Sequence, residues 1–221
     1  MLPTNIFFRT FFIKSAQYGT AFTLDIDGNE YLVTAKHLLE HQKKGSSAIK
    51  ILNQGQWRNL DCEVIAVGRG ELDIGIIKLP MRISSADLAV HAKFADCYVG
   101  QDVFFAGFPY KMSIDYGETA SGQPGVFLKK GTLSAFESGP PKIIYVDAIN
   151  NEGFSGAPLY YFRNGDVHDI CIAGVVSKFK VEYETVLDHE GEETKMSVAY
   201  NTGFLVAYDI AHAIDLVRNN S

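Results

Sequence analysis

"YGTAFTLDIDGNEYLVTAKHLLEH", residues 18–41, decides the fold class. Two runs rich in apolar and β-branched residues, 18–26 and "EYLVTA" (30–35), flank "DGN" (27–29). A tight β-hairpin turn needs residues that tolerate positive φ, and Asp-Gly meets that need, so the stretch predicts an antiparallel hairpin. A short helical turn, "HLLEH" (37–41), follows its second strand. Outward from the hairpin the same kind of run recurs: "FFRTFFI" before it, then "AIKIL", "CEVIAVG" and "DIGIIKL" after it. Beyond an irregular connection come "DVFFAGF", "GVFLKKGTLSAF", "KIIYVDA", "APLYYF", "ICIAGVVSKFKVEYETV" and "KMSVAYNTGFLVA". Many short strands separated by turns predict an all-β barrel or sandwich. One clear helix closes the chain: "YDIAHAIDLVRN" (208–219) spaces Ile210, Ala213, Ile214 and Val217 along one face, with Asp209 placed to cap it. The dividing line falls between about 80 and 100, giving an N-terminal β unit over 1–90 and a C-terminal one over 91–221.

At 221 residues with 47% hydrophobic content, the chain can bury a sizeable core. A net charge of −6 and the lack of a basic stripe argue against nucleic acid as a partner. No apolar run approaches the roughly 20 residues a membrane helix needs. The N-terminal "MLPTNIFFRTFFIKSAQYGT" is interrupted by Arg9 and lacks the layout of a signal peptide, so it reads as strand. Cys62, Cys97 and Cys171 are odd in number and widely spaced, which suits buried thiols in a reducing, cytoplasmic setting. Two connections stand out: a polar loop over 109–125, and an acidic hairpin over 180–195 around "DHEG". Both are candidate places for regulation.

The chemistry centres on "NNEGFSGAP" (150–158), which sets Ser155 between glycines. A serine hydroxyl is a poor nucleophile until a base takes its proton, and that base in turn needs a carboxylate to orient it. Among six histidines, His37 stands at the end of an apolar strand, a rigid location, whereas His189 sits in a turn and His212 on the closing helix. Asp73 opens the apolar run "DIGIIKL" and must be paired if buried. The order His37, Asp73, Ser155 and the Ala at 157 exclude the G-x-S-x-G elbow, whose order is serine, acid, histidine.

Here the chain resembles a known family. "YGTAFTLDIDGNEYLVTAKHLL" is similar to the opening of a trypsin-like, chymotrypsin-fold serine protease, "LDIGIIKL" to its Asp segment, and "GFSGAP" to its serine motif. "DAINNEGFSGAPL", "KKGTLSAF" and "NTGFLVAYDIAHAIDLV" are closest to the protease domain of bacterial high-temperature-requirement proteases, without a PDZ domain after the helix. The resemblance implies two six-stranded antiparallel β-barrels, His37 as base and then acid, Asp73 as its orienter, and Ser155 as nucleophile. The N–H groups of Gly153 and Ser155 would form the oxyanion hole, with Gly156 leaving room beside the nucleophile. It places Ile149 and Asn150, and Ser177, Lys178 and Phe179, around the P1 pocket. An apolar Ile149 and a narrowing Phe179 point to a small or medium uncharged P1 residue. A protein or peptide substrate, no cofactor, no metal and no membrane follow, with oligomeric state left open. Phe154, Glu152 and Ala157 depart from the family's usual residues in the oxyanion loop, and no activation sequence is visible. Three other readings stay open: a pseudo-protease serving as a binding module, a zinc metalloprotease using His37, Glu40 and His41 of "HLLEH", and a viral processing protease of the same fold.

Overall fold

The computed structural model describes residues 2–40, 42 and 49–220. It is mostly β, in two seven-stranded sheets. The first contains β1 (Thr10–Lys14), β2 (Tyr18–Ile26), β3 (Asn29–Thr34), β4 (Lys50–Asn53), β5 (Gln56–Asn59), β6 (Glu63–Val67) and β7 (Gly75–Lys78). They lie in the order β5-β4-β1-β2-β3-β7-β6, antiparallel throughout, as an open half-barrel. The second contains β8 (His91–Ala92), β9 (Asp102–Gly107), β10 (Phe127–Glu137), β11 (Ile143–Asp147), β12 (Pro158–Phe162), β13 (Ile170–Leu187) and β14 (Glu193–Asp209). Its order is β12-β9-β10-β11-β14-β13-β8, and a β12–β13 pairing closes the long strands into a ring. Only two-residue β8 is parallel to its neighbour. This is the double β-barrel predicted from the sequence, with a seventh strand on each barrel.

The 18–41 segment folds as its residues dictate. Asp27 and Gly28 both take positive φ, 49° and 84°, and Ile26 pairs with Asn29 across them. Two central residues of positive φ give a turn whose twist matches that of the strands.

The N-terminal segment departs from the sequence reading. Thr4–Arg9 forms a short helix, α1, and strand begins only at Thr10. Pro3 fits just ahead of a helix, where no N–H is needed, and the Phe7 N–H bonds to its carbonyl at 3.0 Å. The "FFRTFFI" alternation misleads because Arg9 turns inward. Its guanidinium is buried and bonds Asp25 Oδ2 at 2.7 Å and the Leu88 carbonyl at 2.6 Å.

Three apolar cores organise the molecule. One lies within the first sheet around Ile13, Leu32, Leu38 and Ile77. One fills the ring around Phe105, Phe154, Leu159 and Val176. A third is shared, joining Phe12, Phe22 and Ile76 to Phe108, Tyr160, Tyr208 and Val217. The closing helix α2 (Ala211–Arg218) buries Ala213 and Val217 there, and Asp209 Oδ1 accepts from the Ala211 N–H at 2.9 Å. Among the described residues no helix is long and apolar enough to cross a membrane.

Candidate active site

Strand β3 ends at Thr34, and the chain then makes a 3-10 turn over Lys36–Leu39. Leu38 and Leu39 are buried in the first core, which fixes the turn and leaves the His37 side chain 31% exposed. Asp73 sits just ahead of β7, the neighbour of β3. It grips His37 at two points: the ring Nδ1 lies 2.7 Å from Oδ2, and the His37 backbone N–H donates to Oδ1 at 2.9 Å. An ionised carboxylate only accepts, so Nδ1 carries the proton and Nε2 is left as the basic nitrogen. Ser177 Oγ also donates to Asp73 Oδ2, at 2.5 Å. Burial alone would push the Asp73 carboxyl up, but the bonds and charge of His37, with the Ser177 hydroxyl, outweigh it and hold the group below its ordinary range.

Ser155 lies in a turn before β12 and brings the second sheet to this place. Gly153 has φ +101°, and a Cβ there would stand 2.2 Å from the Phe108 carbonyl oxygen, so the position requires glycine. The Glu152 carbonyl accepts from the Tyr110 N–H at 2.8 Å. Because a trans peptide is planar, with C=O and N–H opposed, that bond aims the Gly153 N–H the other way. Among the described residues the N–H groups of Gly153 and Ser155 make no hydrogen bond. Thr20 of β2 holds both flanking carbonyls: its Oγ1 donates to Gly153 at 2.7 Å and its N–H to Ser155 at 2.9 Å. Phe154 is fully buried and meets Phe105 edge-on, ring centroids 5.0 Å apart. The loop is thus moored by an apolar side chain.

Two features differ from what the sequence suggested. Gly156 does make room, but for the first sheet: a Cβ would stand 2.1 Å from the Thr20 carbonyl oxygen and 2.3 Å from Thr34 Oγ1. The Ser155 hydroxyl donates to the Ser177 carbonyl at 3.0 Å, and no bond joins it to His37. Around it, Asn150 and Ser177 are buried, Phe179 is half-buried, and Ile149 and Lys178 are exposed. Lys178 and Phe179 line a groove of about 470 Å³ with Ala135, Tyr145, Phe204 and Val206. A larger cavity, about 740 Å³, lies away from His37 and Ser155, against Leu72, Pro141 and His212.

No sequence pattern singles out Thr20, Tyr110 or Lys129, although Tyr110 falls within the polar loop over 109–125. The Lys129 ammonium donates to the Ile149 carbonyl at 2.6 Å and to Asn151 Oδ1, and lies 5.6 Å from the centre of the Phe154 ring. Asn151 Nδ2 donates onward to the Tyr110 hydroxyl at 2.9 Å. Tyr110 itself sits at φ +51°, a left-handed conformation uncommon for a bulky residue, at the point where its N–H holds Glu152. Of the "HLLEH" pattern, Glu40 is exposed and His41 lies outside the described residues. Among the described residues no cluster of three metal-ligating side chains occurs.

The sequence model of the trypsin-like peptidase domain matches residues 19–168. No curated protein sequence matches the chain. Among solved structures, an inactive form of the Rv3671c protease superposes with TM-score 0.60 at 15% identity, covering 98% of this chain and 90% of that one. Another crystal structure of Rv3671c, from M. tuberculosis H37Rv, gives TM-score 0.60 at 14% identity over 97% of this chain and 87% of the other. The HtrA-type protease AlgW with a tripeptide gives TM-score 0.60 at 16% identity, over 98% of this chain and 61% of that one. A serine endoprotease from Yersinia pestis gives 0.58 at 18% identity, over 97% and 63%.

Proposed function

Since the chain belongs to the family of trypsin-like peptidase domains, we propose that it is a serine endopeptidase in which Ser155 attacks the scissile carbonyl. His37 Nε2 takes the Ser155 proton and later gives it to the leaving amine, while Asp73 fixes the tautomer and stabilises the imidazolium. The observation that carries this reading is the two-point grip of Asp73 on His37, at 2.7 and 2.9 Å. A side chain holding only the ring would leave it free to pivot about its stem. Holding the backbone N–H as well fixes ring and stem together. The unengaged N–H groups of Gly153 and Ser155 would receive the developing oxyanion, a service whose loss costs about 10²–10³ in rate per donor.

The first step requires Ser155 Oγ to leave the Ser177 carbonyl. A substrate strand lying along Ser177 would offer its own N–H to that oxygen and release the hydroxyl toward His37. A small or medium uncharged P1 residue suits this site, because Ile149 brings no counter-charge and the Lys129 ammonium behind it repels a basic side chain.

Labelling with a fluorophosphonate tests the proposal. Modification at Ser155, lost in Ser155→Ala and in His37→Ala, is the expected result. One observation favours a second reading: the Ser155 hydroxyl donates to the Ser177 carbonyl and not to His37, as a serine with no catalytic task would. Absent labelling of the folded protein, with and without peptide, would select the binding-module reading.

A further inference from the structure

Strand β13 does two jobs in one run of eighteen residues. Its first part closes the ring against β12, whose first residue Pro158 lies opposite Val175, with the Val176 backbone bonded to Gly156 and Ala157. From Ser177 to Leu187 it keeps β14 on one side, and among the described residues no strand lies on the other. This unpaired edge begins at the carbonyl that holds the Ser155 hydroxyl and runs outward for about 33 Å at ~3.3 Å per residue. Beyond Phe179 it belongs to an arm that projects from the body, with nearly every residue from Lys180 to Tyr200 exposed.

The two rows of side chains along β13 differ chemically. Side chains alternate across a strand, so Val181 and Tyr183 share one face while Lys180, Glu182 and Glu184 share the other, where Lys180 Nζ lies 2.9 Å from Glu182 Oε1 and Tyr200 and Val198 of β14 stand opposite the two glutamates. At the tip stand Asp188, Glu190, Glu192 and Glu193. Tyr183 is 70% exposed and Leu187 57%.

Resting on the proposed peptidase reading, we propose that this edge is an extended substrate-recognition strand. A peptide entering with its scissile bond at Ser155 continues antiparallel along β13, adding a strand to the arm over some eight residues upstream of the usual pocket. Backbone pairing supplies affinity, and the two faces supply selectivity. The occupant is an extended segment that alternates apolar residues, against Val181 and Tyr183, with basic residues, against Glu184 and against Glu182, whose exposed pair with Lys180 is weak enough to exchange.

The test uses Ser155→Ala, so that binding is read without turnover. The probes are three fluorescein-labelled peptides: a tetrapeptide ending in Ala at P1, the same peptide extended upstream by four Val-Lys repeats, and its Val-Glu counterpart. Anisotropy should show the Val-Lys peptide binding at least tenfold tighter than the tetrapeptide, and the Val-Glu peptide gaining nothing. Replacing 183–199 by Asn-Gly, a two-residue turn across the Glu182–Tyr200 pair, should abolish the gain and spare tetrapeptide binding. Should that variant not fold, the full-length pair E182K/E184K should reverse the preference toward Val-Glu. Binding independent of length, or a gain that survives both changes, overturns the proposal. So does a concentration-dependent dimer, lost with the arm, in a protein indifferent to peptide length, which would assign the edge to a second copy. Failure of Ser155 labelling alongside length-dependent binding refutes the peptidase reading alone.

Discussion

Thr20 and Lys129 hold the chain around Ser155 through backbone carbonyls, at Gly153 and at Ile149. His37, Asp73 and Ser155 can be picked out because acid–base chemistry demands particular residue types, and their order along the chain restricts the folds that could unite them. Thr20 and Lys129 act on backbone carbonyls, which every residue has, so nothing in the sequence around 150–155 announces them. Yet they moor the segment that carries the Gly153 and Ser155 N–H groups. Lys129→Met should lower kcat about tenfold or more with little change in KM, since it releases the Ile149 carbonyl and Asn151 together. Lys129→Arg should restore most of the loss because a guanidinium can donate to both acceptors. Parallel kinetics on an uncharged chromogenic substrate check this, and an equal rise in KM would assign Lys129 to the pocket instead. Thr20→Val keeps the shape, removes the donor to Gly153, and leaves that buried carbonyl unsatisfied. A loss of about 1–3 kcal/mol in stability should accompany a slower fluorophosphonate reaction. The Ser155–Ser177 bond was equally hidden, because a rotamer is chosen by its surroundings and not by the residue type.

Secondary-structure elements were legible where local chemistry and tertiary demand agreed. Asp27-Gly28 specified its turn, the closing helix showed its apolar face, and the acidic "DHEG" hairpin forms as a hairpin between β13 and β14. Agreement fails at α1. "FFRTFFI" has a strand's alternation, but Arg9 must reach Asp25 on β2 and the Ser85 and Leu88 carbonyls in the connection that follows β7. Those partners lie 16 to 79 positions away, beyond what a local pattern can register. Arg9 thereby pins the long connection between the sheets to the first one. Arg9→Ala should cost about 3 kcal/mol, the low end for a broken buried ion pair, since Arg82 still accompanies Asp25. Urea denaturation at neutral pH measures it. Arg9→Met should recover part of the loss, because a buried apolar chain of similar length refills the space, although Asp25 Oδ2 and the carbonyls lose the donors Arg9 supplied.

The molecule as a whole is two sheets held by a seam, and the candidate site lies on that seam. Asp73 from the first sheet accepts from Ser177 of the second, Thr20 of the first holds Gly153 and Ser155 of the second, and the shared core contains residues of both. Sequence patterning shows each strand's two faces but not which sheet supplies the opposite wall, so the fold class could be read and the shared core could not. A common core predicts one cooperative unfolding transition, with calorimetric and van't Hoff enthalpies equal. It also ties stability to the ionisation of Asp73. The folded carboxyl titrates below its ordinary value of 3.8, so the folded state binds this proton less readily than the unfolded chain. The stability it contributes is fully present above the ordinary value and is lost as pH falls through the depressed one. Other carboxylates, Asp27 and Asp96 among them, are lowered too, so the wild-type acid limb alone cannot isolate this group. The difference between wild type and Asp73→Asn can. At neutral pH the variant should melt lower, and kcat should fall about 10⁴-fold as the ring loses its tautomer. On acidification the two melting curves should converge below pH ~4, since protonated Asp73 then resembles the amide. Parallel curves down to pH 2 would mean that the carboxylate's charge does not hold the seam, leaving the shared core to do so alone.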